Sequence, residues 1–285
     1  MSTEIRQVGV VGCGLMGSGI VETVARRGYP VVVREVAPEL LQAGLARVRA
    51  SMSKAVERGK LTPAEMDAAL GRITGTTTLH DLAGCDLVIE AVVEDITVKR
   101  EVFGQLDRIC PPHAILASNT SSLSITEIAS VTRRPDKVLG MHFFNPVPIM
   151  PLLEMVRTIL VSDEAFTLAR RFGEGLGKTV VVAKDTPGFI VNLLLIPYLL
   201  DAIRALESGV ATKEDIDTAV KLGLNHPMGP FILLDFVGLD TALFIADAMF
   251  AEFKDARYAA PPLLRRMVTA GLLGRKSGKG FYTYA

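Results

Sequence analysis

The sequence predicts an α/β protein: a doubly wound, mostly parallel sheet over residues 1–186, followed by an all-α C-terminal domain over residues 187–285. Three observations predict it. Apolar runs of strand length alternate with segments of helical period through the first two thirds of the chain. The first of those runs leads straight into a spaced glycine triplet, in the stretch VGVVGCGLMGSGI. The alternation then stops at residues 185–188 (DTPG), and only helical patterns follow. Strands alternating with helices pack most economically as a parallel sheet covered on both faces. The domain boundary therefore falls near Pro187.

Taken in order, residues 5–11 form a β run, residues 16–27 a helix closed by Gly28, and residues 31–35 a second β run, which together make one βαβ unit. Further buried strands are expected at residues 87–90, 115–118, 138–142 and 179–182. Beyond the boundary, Thr212 and Asp215 have the spacing of a capping box at the start of a helix ending near Gly223. Residues 239–253 read as a second helix of mixed amphipathic pattern.

Composition excludes several function classes. With 285 residues, 49% of them apolar, the chain has ample material for a packed core. Its 31 basic residues balance 31 acidic ones, so no global field draws it to nucleic acid or to an anionic membrane. Any charged ligand must be met locally. Cys13, Cys85 and Cys110 are odd in number and lack metal-ligand spacing, which fits small buried fillers in a reducing compartment and no metal site. The N-terminus MSTEIRQ has no basic region leading into an apolar stretch, and no later run reaches about eighteen uncharged apolar residues. A cytoplasmic protein without a membrane segment is expected.

The glycines suit a dinucleotide. After a strand, Gly12 permits the sharp turn, Gly14 leaves room for a pyrophosphate against the backbone, and Gly17 lets helix and strand pack closely. The helix N-terminus, at Leu15 and Met16, then offers N–H groups and partial positive charge to the phosphates. The second β run ends in Glu35, eighteen residues past Gly17, where a carboxylate can accept from both ribose hydroxyls. That favours NAD. Arg34, just before it, could pair with a 2′-phosphate, which keeps NADP open.

Two other constellations carry chemistry. SNTSSL, residues 118–123, brings hydroxyls and an amide to a strand end, while Ser124 with Glu127 has cap spacing for the next helix. The next strand ends in HFFNP, and an apolar, proline-rich run continues to Glu154. His142 and Glu154 could therefore meet. A carboxylate beside an imidazole fixes its tautomer and stabilises its protonated form, the pairing a general base requires. A local carbonyl could satisfy His142 instead, and His80, His113 and His226 lie in turn-like surroundings that suggest structural roles. After Pro38, residues Arg47, Ser51, Lys54 and Arg58 share one helix face opposite Leu41, Leu45, Val48, Met52 and Val56. The basic stripe is either a solvated face or an anion-binding one.

The set GCGLMGSGI, IEAVVED, SNTSSLSI, HFFNPVPIMPLLE, DTPGFIVN, HPMGP and GRKSGKGFY, in order along the whole chain, resembles the L-3-hydroxyacyl-CoA dehydrogenase family, in particular its short bacterial members acting on 3-hydroxybutyryl-CoA. The resemblance implies a Rossmann-type domain and a helical domain that shares the substrate cleft and mediates homodimerisation. It makes His142 the catalytic base and Glu154 its orienting partner. It places Ser121, Asn145 and Asn192 around the substrate oxygen and nicotinamide, and puts Glu94, Lys99 and Lys276 at cofactor-contacting positions. It assigns the helix bearing Ser51, Lys54 and Arg58 to the border of the CoA site. Two departures bear on substrate preference and packing: Pro151 stands where many relatives carry Lys, and Ile232 where an acidic residue is common. A dehydrogenase of free hydroxy or sugar acids, and a non-catalytic nucleotide-sensing protein, are the alternatives.

Overall fold

The computed structural model describes residues 4–284, and the chain divides between Thr186 and Pro187 into two compact units. The first is built on β1 (Val8–Val11), β2 (Val31–Arg34), β3 (Ile73–Thr76), β4 (Leu87–Glu90), β5 (Ile115–Ser118), β6 (Val138–Phe143), β7 (Leu152–Arg157) and β8 (Thr179–Lys184). They form one sheet in the order β3-β2-β1-β4-β5-β6-β7-β8. Every neighbouring pair is parallel except β6 with β7. Strands β1, β4, β5 and β6 are buried at every residue, as parallel strands covered on both faces must be, and this is why they read as unbroken apolar runs. The strand order reverses between β1 and β4, so a crevice opens at their C-terminal ends.

Helices α1 (Leu15–Arg26), α2 (Pro38–Glu57), α3 (Pro63–Leu70), α4 (Ile96–Ile109), α5 (Ile125–Ala129) and α6 (Asp163–Gly175) connect the strands. Their ends follow local chemistry. Gly28, at φ +93°, supplies the left-handed turn after α1. Ser124 caps α5 by accepting from the Glu127 N–H at 3.2 Å. Asp185 reinforces that end, accepting from the N–H groups of Ile125 and Thr126 at 2.9 and 2.6 Å.

Three strands run against expectation: β8, expected to be buried, lies at the edge of the sheet and is mostly accessible, and β3 and β7 fall outside the strands expected. β3 is an exposed edge strand of sequence ITGT, too polar to show an apolar run. β7 follows the proline-rich segment 146–151, which masks its start, and it carries Glu154.

The second unit holds α7 (Val191–Glu207), α8 (Lys213–Gly223), α9 (Pro230–Val237), α10 (Leu239–Phe253) and α11 (Pro262–Thr269) around its own apolar core. Two buried carboxylates tie it together. Asp217 accepts from the N–H groups of Phe231 and Ile232, and Asp235 from those of Phe281 and Tyr282. Thr212 caps α8, accepting from the Asp215 N–H at 3.1 Å. No helix among the described residues is long and apolar enough to cross a membrane. Cys13, Cys85 and Cys110 are buried and unbridged.

Candidate active site

Each glycine of the first turn does a different thing. Gly12 sits at φ +93°, and a Cβ there would lie 2.6 Å from the Ala91 carbonyl oxygen. A Cβ on Gly17 would lie 1.9 Å from the Gly12 carbonyl oxygen, so α1 can follow β1 this closely only without a side chain. Around Gly14 nothing lies within 4 Å of that position. The turn is thus tight at both flanks and open in the middle, where a diphosphate would approach the backbone. No side chain caps α1 and no acid occupies its first turn, so its N-terminal end suits an anion. The residues present fit a dinucleotide.

The end of β2 closes this loop from the side. Glu35 accepts from the Cys13 N–H at 2.6 Å and from the Val36 N–H at 3.0 Å, which holds its carboxylate at the mouth of the glycine turn. Arg34 donates to the Thr77 carbonyl at 3.4 Å. Arg47 leaves the basic stripe assigned to it by spacing and donates to the Cys13 carbonyl at 2.7 Å. Gly44 lets α2 approach that far, since a Cβ there would meet Cys13 at 2.4 Å.

At the ends of β4 and β5 a polar network replaces apolar packing. Glu90 accepts from Lys99 Nζ, Ser118 Oγ and the Val92 N–H, each at 2.7 Å. Lys99 is 1% exposed and also pairs with Glu94 at 3.1 Å. Glu94 in turn accepts from Thr120 Oγ1 and, at 3.0 Å, from the Ser121 N–H. The chain from Glu90 through Lys99 to Glu94 thereby fixes the loop that presents Ser121. Removing Lys99 would strand the buried Glu90 carboxylate, at a cost of about 3–5 kcal/mol. Sequence reasoning missed Glu90, though an acid closing a fully buried strand demands a buried cation nearby.

Across β6 and β7, His142 pairs in register with Glu154. Residues directly opposite in an antiparallel ladder have neighbouring Cβ atoms, and here His142 Nδ1 lies 2.7 Å from Glu154 Oε2. The side chains are 8% and 0% exposed. The carboxylate holds the proton on Nδ1, which directs Nε2 toward proton exchange. The Asn119 side chain accepts from the Phe143 N–H at 2.9 Å and so ties the end of β5 to the end of β6. The Phe144 ring lies 4.5 Å from that of His142.

Ser51, Lys54 and Arg58 line one cavity of about 300 Å³ with Glu22, Arg26 and Lys60. Asn145 is exposed in the loop after β6. Asn192 and Lys276 belong to the second unit, where Asn192 is buried in the first turn of α7 and Lys276 pairs with Asp240 at 2.5 Å. The other histidines are structural in kind where partners are seen: His113 meets Asp86 at 2.9 Å and His226 lies edge-on to Tyr198.

Residues 7–186 match the family model of the 3-hydroxyacyl-CoA dehydrogenase NAD binding domain, and residues 188–284 that of the 3-hydroxyacyl-CoA dehydrogenase C-terminal domain. The chain is 56% identical to a 3-hydroxybutyryl-CoA dehydrogenase of Mycobacterium tuberculosis over the full length of both. Among solved structures, FadB2 of M. tuberculosis is similar with a TM-score of 0.98 at 56% identity, covering 99% of this chain and 100% of that one. The (S)-3-hydroxybutyryl-CoA dehydrogenase PaaH1 of Ralstonia eutropha gives 0.95 at 44%, with the same coverage. An open glycine turn, a buried His–Glu pair across β6 and β7 and full-length matches in both halves lead to one conclusion: the chain belongs to the 3-hydroxyacyl-CoA dehydrogenase family.

Proposed function

We propose that the protein is an NAD-dependent oxidoreductase that oxidises a short-chain 3-hydroxyacyl-CoA at C3, 3-hydroxybutyryl-CoA in particular, and reduces acetoacetyl-CoA in the reverse direction. The His142–Glu154 pair carries this reading. With Nδ1 held by the carboxylate, His142 takes the hydroxyl proton through Nε2 during oxidation and returns it during reduction. NAD, when bound, accepts and returns the hydride. Glu154 keeps the imidazole oriented and balances the charge it gains.

The remaining residues bind and orient. Gly12, Gly14 and Gly17, with Leu15 and Met16, receive the diphosphate, and Glu35 accepts from the adenosine ribose. Glu94, with Lys99 behind it, and Lys276 contact the cofactor. Ser121, Asn145 and Asn192 serve the substrate oxygen and nicotinamide, and Ser51, Lys54 and Arg58 hold CoA. NAD is preferred because Glu35 would repel a 2′-phosphate, while Arg34 is engaged by the Thr77 carbonyl. A homodimer through the helical unit fits its exposed Leu194, Leu222, Leu224 and Phe244. Balanced charge and three unbridged thiols support a cytoplasmic location.

The deciding measurement is kcat/KM for acetoacetyl-CoA and for free acetoacetate, each with NADH and NADPH. Acetoacetyl-CoA with NADH should be the best pair. Preference for the free acid would select the alternative dehydrogenase, preference for NADPH would transfer the ribose-end role to Arg34, and no turnover at all would defeat the enzyme reading.

A further inference from the structure

Glu90, Lys99 and Glu94 bring together two carboxylates and one ammonium. Glu90 accepts from Lys99 Nζ, Ser118 Oγ and the Val92 N–H, each at 2.7 Å. Glu94 accepts from Thr120 Oγ1, from the Ser121 N–H at 3.0 Å, and meets Lys99 Nζ at 3.1 Å. Both acids accept at every contact, as ionised carboxylates do. No second cation pairs with either of them among the described residues. Arg100, the next residue after Lys99, pairs with Glu127 instead, and Asp95 is occupied in capping α4 through the N–H groups of Thr97 and Val98. The cluster therefore keeps a single unit of negative charge.

That surplus lies at one end. The side chains of Glu90 and Lys99 are 0% and 1% exposed, whereas that of Glu94 is 26% exposed. One acid is enough to accompany a buried ammonium, and Glu90 is that acid. The strand order sets β2 and β4 on opposite sides of β1. A dinucleotide with its diphosphate on the glycine turn and its adenosine ribose at Glu35, after β2, has its nicotinamide half on the β4 side, where this cluster stands. The oxidised nicotinamide ring is a cation and the reduced ring is neutral. A fixed negative charge nearby stabilises the first and leaves the second almost untouched.

We propose that Glu90 is a positioning residue that sets the charge of this cluster, and that the surplus negative charge makes the cofactor site discriminate in favour of oxidised nicotinamide. The proposal rests on the NAD reading given above. Glu90 is fully buried and acts through Lys99: by taking up the ammonium from behind, it leaves the charge of Glu94 uncancelled toward the cofactor. The consequence is directional. The site holds NAD better for oxidation of the hydroxyl and lets NADH go more readily than an uncharged cluster would.

The test is calorimetric titration with NAD and with NADH, which needs no thioester and no turnover. E90Q leaves Lys99 paired with Glu94 alone and brings the cluster to zero charge. The ratio of Kd for NAD to Kd for NADH should then rise about tenfold, the order of one unit charge acting on another within a protein. E94Q also brings the cluster to zero and should raise the ratio by the same factor; it alters the partly exposed member and keeps the measurement available if E90Q does not fold. The double variant E90Q/K99Q removes one charge of each sign, puts two amides in place of the ion pair and restores the single negative charge on Glu94. Its ratio should return to that of the unaltered protein even though the buried ion pair is gone.

A purely structural role gives a different order, because the double variant loses more contacts than E90Q and would weaken both forms of the cofactor alike. A ratio unchanged in E94Q, or in a folded E90Q, overturns the proposal while the NAD reading stands. A ratio raised as far in E90Q/K99Q as in E90Q overturns it as well, since charge is then not the cause. Failure of the unaltered protein to bind either form overturns the cofactor reading and the proposal with it.

Discussion

The glycine turn after β1 and the His142–Glu154 pair lie at the same edge of the sheet, yet they are made from opposite materials. The turn spans Gly12 to Gly17, a local stretch, and it functions through atoms that are missing: Gly17 must lack a Cβ for packing, and Gly14 leaves space. The pair depends on atoms that are present, two side chains twelve residues apart brought face to face by the antiparallel register of β6 and β7. One site is therefore spoiled by adding a methyl group, the other by removing a functional group. Binding of cofactor and transfer of the proton should accordingly fail separately.

The largest separation should come from His142→Gln. General base catalysis contributes about 10² to 10⁴, so kcat for acetoacetyl-CoA reduction should fall by at least about 10²-fold while the NADH dissociation constant, read by its fluorescence, stays put. Wild-type turnover in a folded variant would remove His142 from the chemistry.

A matched pair in the turn gives the converse. Gly17→Ala forces a Cβ against the Gly12 carbonyl and should cost about 1–3 kcal/mol of stability, seen in Tm, together with weaker NADH binding. Gly14→Ala meets no protein atom and should change stability by less than about 0.5 kcal/mol while still weakening NADH. Should both variants melt alike and bind alike, the division of labour between the glycines is wrong.

The smallest effect belongs to Arg58→Ala. It touches neither the turn nor the pair, and it should raise KM for the thioester by on the order of 1 kcal/mol, shrinking as salt is added. A KM unchanged at low ionic strength would make the stripe a solvated face.

The same contrast explains what could be read from the chain alone. β4 and β5 are buried on both faces, so their apolar runs mark their ends to the residue. β3 is an edge strand with an exposed middle and no such run. β7 was hidden because prolines precede it, so the pairing of His142 with Glu154 could be suspected but its ladder could not be drawn. Arg47 shows the limit of helical spacing. Periodicity gives the direction a side chain faces, not its height along the axis, and eleven residues separate Arg47 from Arg58, about 16 Å at the usual helical rise. Their neighbours differ: the glycine turn for one, a basic cavity for the other. Glu90, and its pairing with Lys99, escaped for a similar reason, since a buried ion pair has no period to detect.

Cys13, set between Gly12 and Gly14, has a consequence for the chemical durability of the enzyme. Burial pushes its thiol up to about 11, with Glu35 adding to the rise and Arg47 opposing it. Because the thiolate is the form that oxidants and electrophiles attack, Cys13 stays in its unreactive thiol form at neutral pH. Burial likewise raises Cys110 to about 11 and Cys85 to about 12. Sulfur therefore fills the hinge of the nucleotide loop as an inert hydrocarbon would, and peroxide or alkylating agents find no ready point of attack at the place where the nucleotide docks.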